Sequence, residues 1–481
     1  MTRPGVEIRS RELTPPRSAP TDTGVWFVAG LTERGPLEPV EVSSMSLYER
    51  RFGQRTGFTA LYDAAETFFR EGGSRLVVSR VLGSAPVSAF KDFNDAVAAA
   101  AIRVTAKEPG AWGNNISVQI VAGVAGGTFV LVVTYNGVEV ERSPDLIDQA
   151  AALAWDNTSE YIIVSSLGSA NDPAVIAATP LLTGANGGAP VDSDWAAALN
   201  RIPKDLGPGQ VTQPGRTTTQ AHTDTIAHAV ANNRVAILDG TDTPTKATLL
   251  TQGASYRTSP NSGARYAGLF APWVQVPGVT SGTVRIVPPS AVVAGALGRN
   301  DGAGLSPNVP AAGSEGQSLF GLDVSQPDWT DLDRQDLNAA GVNIIRQIYG
   351  GVRIYGWRSL VDPVVDFQWI DLGNGRCRMA IAATAADIGE QFQFDMIDGQ
   401  GIVLGQFGGQ LTSMLNEFWQ DGSLYGLTPE EAFFVDVGEQ VNTPLTIAAN
   451  ELHAVLSVRM SPFSELTIIE IVKVPVNQAV V

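Results

Sequence analysis

Three histidines, one cysteine and one run of closely spaced glycines are the residues of this chain best suited to chemistry. His222 and His228 lie six apart in TTQAHTDTIAHAVANN (218–233). They therefore miss the i, i+4 spacing by which a helix offers two imidazoles to zinc, and surface or capping roles are expected. No HExxH occurs, and a single cysteine excludes thiolate clusters. Cys377 with His453 could be nucleophile and base, but GRCRMA around the cysteine gives neither an elbow nor a helix start to stabilise a thiolate. Cys377 reads as a small buried hydrophobe on a strand or helix edge. Gly399, Gly401 and Gly405 in DGQGIVLG form GxGxxxG, whereas a dinucleotide loop needs GxGxxG. GPGQVTQPG (207–215) lacks a lysine to reach a phosphate. The pairs Asp192/Asp194 and Asp331/Asp333 read as solvated turns. No catalytic, cofactor-binding or metal-binding residues emerge, and the chain is not expected to be an enzyme.

The 481 residues are 44% hydrophobic and 17% charged, a globular composition with room for several cores. No apolar run approaches the ~18 residues of a spanning helix, so membrane insertion is not expected. The opening MTRPGVEIRS lacks a signal-peptide pattern. The lone cysteine excludes an internal disulfide, which fits synthesis in a cytosol. A net charge of −17 argues against wrapping nucleic acid, where Lys and Arg must neutralise phosphates. That charge serves solubility, or matters where many copies pack together.

The elements that would carry these residues alternate between strand and helix. Residues 1–21 are rich in proline and polar residues and read as an extended arm. GVWFVAG (24–30) is a buried strand, ended by ERGP (33–36). TALYDAAETFFREGG (59–73) is a helix with Leu61, Ala64, Ala65, Phe68 and Phe69 on one face, Thr59 placed to cap it and Gly72-Gly73 to stop it. RLVVSRVL (75–82) follows as a strand. Residues 100–185 change character: AIRVTA, ISVQIVAG, GTFVLVVTYNGVEVERS and YIIVSS are β-rich, with Asn136-Gly137 as a hairpin turn. Alternation then resumes through helix 218–233, strand RVAILDG (234–240), helix 245–257, strand YAGLFAPWVQV (266–276) and helix 288–302. In that last strand Pro272 implies an edge or an irregularity. GVRIYGWRSL (351–360) and FQWIDL (367–372) read as strands, with Gly373-Asn374-Gly375 as a turn. Residues 379–392 and 409–422 read as helices. FFVDVG (433–438), ELHAVLSVRM (451–460) and ELTIIEIVKVPV (465–476) are β-type.

Several ordered blocks resemble the tail sheath proteins of contractile systems: myophage tails, R-type pyocins and extracellular contractile injection systems. Pro4-Gly5-Val6-Glu7-Ile8 resembles the family's opening, and FFREGGSRLVVSRV (68–81) its helix-to-strand step. Ala106, Pro109, Gly110, Trp112, Gly113, Asn114, Ile116 and Val118 match its A-x-x-P-G-x-W-G-N-x-I-x-V signature. APWVQV (271–276), residues 287–311, residues 337–360 and residues 442–471 resemble later blocks in order. The departure lies at 361–400, where the paired arginines and the F.PN element are not clear; Arg376 and Arg378 are candidates for the pair.

The resemblance implies a multi-domain α/β (α+β) fold. Its divisions are an N-terminal linker arm (1–21), a core in two parts (22–99 and 186–339), an inserted β-rich peripheral domain (100–185), a C-terminal domain facing the tube (340–470) and a C-terminal arm (471–481). Subunits would stack as hexameric rings around an inner tail tube protein, without a cofactor, and meet baseplate and terminator or cap proteins. They would be made in a bacterial cytoplasm and assembled into a virion tail or injection particle. Trp112 would be a structural anchor. Gln410, Ser413, Glu417 and Gln420 would face the tube while Leu411, Met414, Leu415 and Phe418 pack inward. Pro4, Gly5, Val6 and Ile8, with Ile468, Ile469, Ile471 and Val472, would join neighbouring subunits by strand addition. The alternatives are a non-contractile capsid or tube subunit and an α/β nucleotide-binding enzyme.

Overall fold

The computed structural model describes residues 22–242, 244–257, 263–326 and 329–467. The arm residues Pro4, Gly5, Val6, Ile8, Ile468, Ile469, Ile471 and Val472, and most of the strand expected at 465–476, lie outside them.

The sequence's most apolar short runs build one central sheet. Its strands are β1 (Trp26–Gly30), β2 (Val40–Val42), β3 (Leu76–Arg80), β4 (Gln210–Thr212), β5 (Val235–Asp239), β6 (Ala267–Ala271), β7 (Val342–Ile348) and β8 (Gly351–Ile354). They are ordered β8-β7-β6-β5-β4-β1-β3-β2. The six inner strands are parallel, and β2 and β8 pair antiparallel at the edges. Every residue of β1, β3, β5 and β6 is buried, as expected where helices cover both faces of a parallel sheet. The helix Thr59–Arg70 buries Leu61, Ala64, Ala65 and Phe68. It packs on Pro289–Gly302, a helix buried nearly all round. Gly295 permits that packing, since a Cβ there would lie 2.4 Å from Glu71 Cβ.

A second buried cluster draws on residues from Ala89 to Leu181. It lies between two antiparallel sheets. One joins Phe90–Asn94, Ala100–Ala106 and Ile162–Ser166; the other joins Ile176–Pro180, Ile116–Ala122, Phe129–Tyr135 and Val138–Arg142. Asn136 and Gly137, both at positive φ, make the expected hairpin turn. The segment leaves and re-enters the central unit at one place: a Cβ on Gly83 would sit 1.7 Å from Gly188 O.

A third cluster gathers Cys377, Phe392, Phe407, Leu411, Met414, Leu415 and Phe433. It comes from the helices Leu372–Gln391 and Ile402–Gln420 and the antiparallel pair Phe433–Asp436 and Val455–Val458.

Three local expectations are corrected, and a fourth is narrowed. Thr59 is the first residue of its helix and the cap position is Phe58, without a side-chain bond. At Pro272 the irregularity holds and the edge does not: β6 lies between β5 and β7, and the chain breaks there into β6 and a separate strand, Val274–Pro277, of another sheet. FQWIDL forms a 3₁₀ turn, Phe367–Trp369, that runs into a helix instead of a strand. Gly373 and Gly375 are helical. A Cβ would come 2.6 Å from Asn308 O at the first and 2.7 Å from Arg265 O at the second, so close backbone approach explains both glycines.

Candidate assembly surfaces

The stretch EPGAWGNN welds the β-rich unit to the central sheet. Gly110, at φ +140, turns the chain into the short 3₁₀ helix Ala111–Asn115. The Asn114 side chain exchanges two hydrogen bonds with Gly184, donating to its O at 2.9 Å and accepting from its N at 2.8 Å. Trp112 is 3% exposed and donates from Nε1 to Glu108 O at 3.2 Å. Its ring packs with Tyr135 and Tyr161, centroids 6.0 and 6.4 Å away. Arg34, from the loop after β1, enters this group of rings. Its guanidinium carbon lies 5.8, 5.6 and 4.7 Å from the centroids of Trp112, Tyr135 and Tyr161. Arg80, the last residue of β3, donates to Gly35 O at 2.8 Å and Pro109 O at 2.9 Å; burial lowers its pKa to about 10. The sequence singles out the tryptophan but gives neither arginine a role. Their aromatic and carbonyl partners are far away in sequence, and no local pattern marks them.

In the C-terminal unit, Leu411, Met414 and Leu415 of the helix Ile402–Gln420 are buried and Phe418 is half-buried. Gln410, Ser413, Glu417 and Gln420 form an exposed polar stripe on its other side. Nearby, Phe433 points into the core while Phe434 is exposed, the alternation of a half-covered sheet. In the register Phe433↔Val458 to Asp436↔Val455, each strand has only the other as a ladder partner among the described residues. A two-stranded sheet of this size is weak alone and its outer edges offer backbone groups for pairing. Tyr425, Leu427, Phe434 and Leu445 add exposed apolar surface, Leu427 being 90% exposed. The unit is tied to the rest of the chain by Asn308, whose amide donates to Ser423 O at 3.2 Å and Ser461 O at 3.0 Å. Arg376 helps from its own helix: it is 1% exposed on the side chain and pairs with Asp301 at 2.8 Å. Arg378 instead lies over the Tyr266 ring, 5.4 Å from its centroid.

The residues singled out for chemistry have structural surroundings. The histidines of helix Thr219–Ala231 are a correction, because both are buried, His222 at 2% and His228 at 5% exposure. His222 Nδ1 bonds Tyr256 OH at 2.6 Å, and His228 Nε2 bonds Arg234 at 2.8 Å. Burial lowers both pKa values to about 4. Cys377 is buried in a helix and burial pushes its thiol up to about 12, far from a thiolate. His453 pairs with Glu451 at 2.8 Å on the surface. The DGQG loop follows a helix, and Asp398 already accepts from the N–H groups of Gln400, Ile402 and Val403. Those donors are the ones a phosphate would need. Asp192, Asp194, Asp331 and Asp333 occupy first turns of helices, where Asp333 completes a capping box with Thr330 and Asp194 accepts from the Val191 N–H at 2.9 Å. Among the described residues no His, Cys, Asp and Glu group is placed to hold a metal, and no helix is long and apolar enough to cross a membrane.

Protein-family models and curated sequences give no match to the chain. Solved structures do. The sheath tail protein of Listeria innocua aligns with TM-score 0.62 and 14% identity over 88% of this chain and 90% of its own. That of Desulfitobacterium hafniense aligns with TM-score 0.57 and 16% identity over 90% and 93%. The helical sheath of the anti-feeding prophage in its contracted state aligns with TM-score 0.56 and 18% identity over 98% and 99%. The chain has the multi-domain α/β fold of contractile tail sheath proteins.

Proposed function

We propose that this protein is the repeating subunit of a contractile tail sheath. Its copies stack as six-membered rings around an inner tube, and contraction of the array drives that tube through a target envelope. The observation that carries this reading is the extent of the structural match, 98% of the chain against a contracted helical sheath. The exposed sheet edges and apolar side chains of the C-terminal unit support it, since they have no strand partner or cover among the described residues. A heterologous interface that does not close generates a helical array, and two packings of one subunit supply the switch. Work then comes from the difference in interface free energy between two lattices, and no nucleotide is consumed.

In this reading the β-rich unit is peripheral and the helix Ile402–Gln420 turns Gln410, Ser413, Glu417 and Gln420 toward the tube. Residues 3–10 and 467–476 reach neighbouring subunits and add strands to the open sheet. Baseplate and terminator or cap proteins hold the two ends of the array. Assembly follows synthesis in a bacterial cytoplasm, and the product is a virion tail or an injection particle. Negative-stain electron microscopy of the purified chain tests the reading. Long striated cylinders are expected. Discrete soluble oligomers would favour the enzyme alternative, and shells or narrow tubes a non-contractile subunit.

A further inference from the structure

The hairpin at the edge of the central sheet places two arginines side by side. In the register of β7 and β8, Arg346 faces Arg353 directly across the strands. Like charges in that position repel. Each arginine lies against a tyrosine: the Arg346 guanidinium carbon is 5.4 Å from the Tyr355 ring centroid, and that of Arg353 is 5.8 Å from the Tyr349 centroid. Tyr349, in the turn at φ +51, is 89% exposed, and Tyr355 is exposed beside it. Arg353 reaches a neutral acceptor, Gln317 Oε1 at 3.2 Å, and meets no carboxylate among the described residues. Arg353 with the two exposed rings thus gives a cationic, aromatic patch on a chain whose net charge is −17.

A different part of the chain carries the opposite character without interruption. From Met379 to Val458, eighty residues, there are eleven Asp and Glu and no Lys or Arg. Glu417, Asp421, Glu430, Glu431, Glu439 and Glu451 are exposed there. Glu431 lines one groove with Tyr425, Leu427 and, just past the acidic stretch, the exposed Arg459, so the acid stands beside exposed apolar surface and a single cation at its rim. Arginines stacked on tyrosines suit such a surface, because the rings bury apolar area while the guanidinium meets the carboxylates.

We infer that the β7–β8 hairpin face of one copy docks on the acidic C-terminal unit, residues 379–458, of a second copy. This rests on the sheath reading, in which copies meet in a lattice. The contact lets oppositely charged surfaces attract within an acidic assembly, and fixes which surfaces meet.

The test uses the full chain. Arg353→Glu and Arg353→Gln should keep the wild-type melting transition, yet raise the concentration needed for half-assembly by roughly tenfold or more for the glutamate. The glutamine should fall between, and added salt should weaken wild-type assembly. Arg353→Lys should still assemble. In cylinders mixed from isotope-labelled and unlabelled Arg353→Lys chains, a carbodiimide should couple the introduced amine to a carboxylate between residues 379 and 458 of the other copy. Wild-type assembly by the glutamate variant, coupling only to other carboxylates, or no coupling of that amine between copies would overturn the inference while leaving the sheath reading intact. If the wild-type chain forms no cylinders, the sheath reading falls first and this contact with it.

Discussion

Arg34 and Trp112 are 78 positions apart, yet they share one site in which a cation sits among three rings. That Trp112 needed a core was legible from its sequence setting, since so large an apolar surface is costly in a solvated turn. That an arginine of the central unit would enter the same core was not, because only the tertiary fold brings them together. Trp112→Ala should cost about 3–5 kcal/mol in the unfolding of the β-rich unit, measured by denaturant titration. A loss within experimental error of zero would mean that the ring is not the anchor. The histidines teach the opposite lesson. Their polarity suggested a surface, but Tyr256 and Arg234 satisfy them inside. Each has a folded pKa of about 4 against an ordinary value of 6.5, so the unfolded chain binds more protons between those values. Their contribution is therefore complete above pH 6.5 and is lost progressively as pH falls toward 4. Replacing both by glutamine should flatten the decline in melting temperature between about pH 7 and 5. An unchanged decline would assign it to other groups.

Among elements, those with a clear apolar period were readable: the stripe of Thr59–Arg70 and the buried face of Ile402–Gln420 follow the sequence directly. Elements decided by backbone proximity were not. Gly373 and Gly375 look like a turn in sequence and are helical because neighbouring carbonyls leave no room for a Cβ. The exposed stripe on Ile402–Gln420 leads to a charge test. Glu417→Lys should leave the melting transition unchanged and reduce tube-templated assembly several-fold, as expected for a contact-surface charge reversal. Undiminished templating would remove that stripe from the tube contact. The β-rich unit calls for a deletion. Because Gly83 and Gly188 already touch, a short Gly-Ser linker joining them can replace the intervening residues without stretching the chain. Cylinders should still form, and insoluble protein would show that the unit is part of the core.

At the scale of the whole molecule, the order of sequence blocks resembles that of sheath proteins, and the likeness of fold spans nearly the full chain. The terminal arms carry the lattice in this account. Removing residues 1–12 should leave a monomer with the wild-type cooperative melt that no longer builds cylinders; normal cylinders would exclude the arm as a connector. The most direct measurement of the central claim is a helical reconstruction by cryo-electron microscopy of particles formed by this chain. The account predicts a cylinder of stacked six-membered rings whose bore is lined by the helix Ile402–Gln420, with residues 90–181 on the outer wall. Closed shells, or a cylinder with that helix on its outer surface, would contradict it.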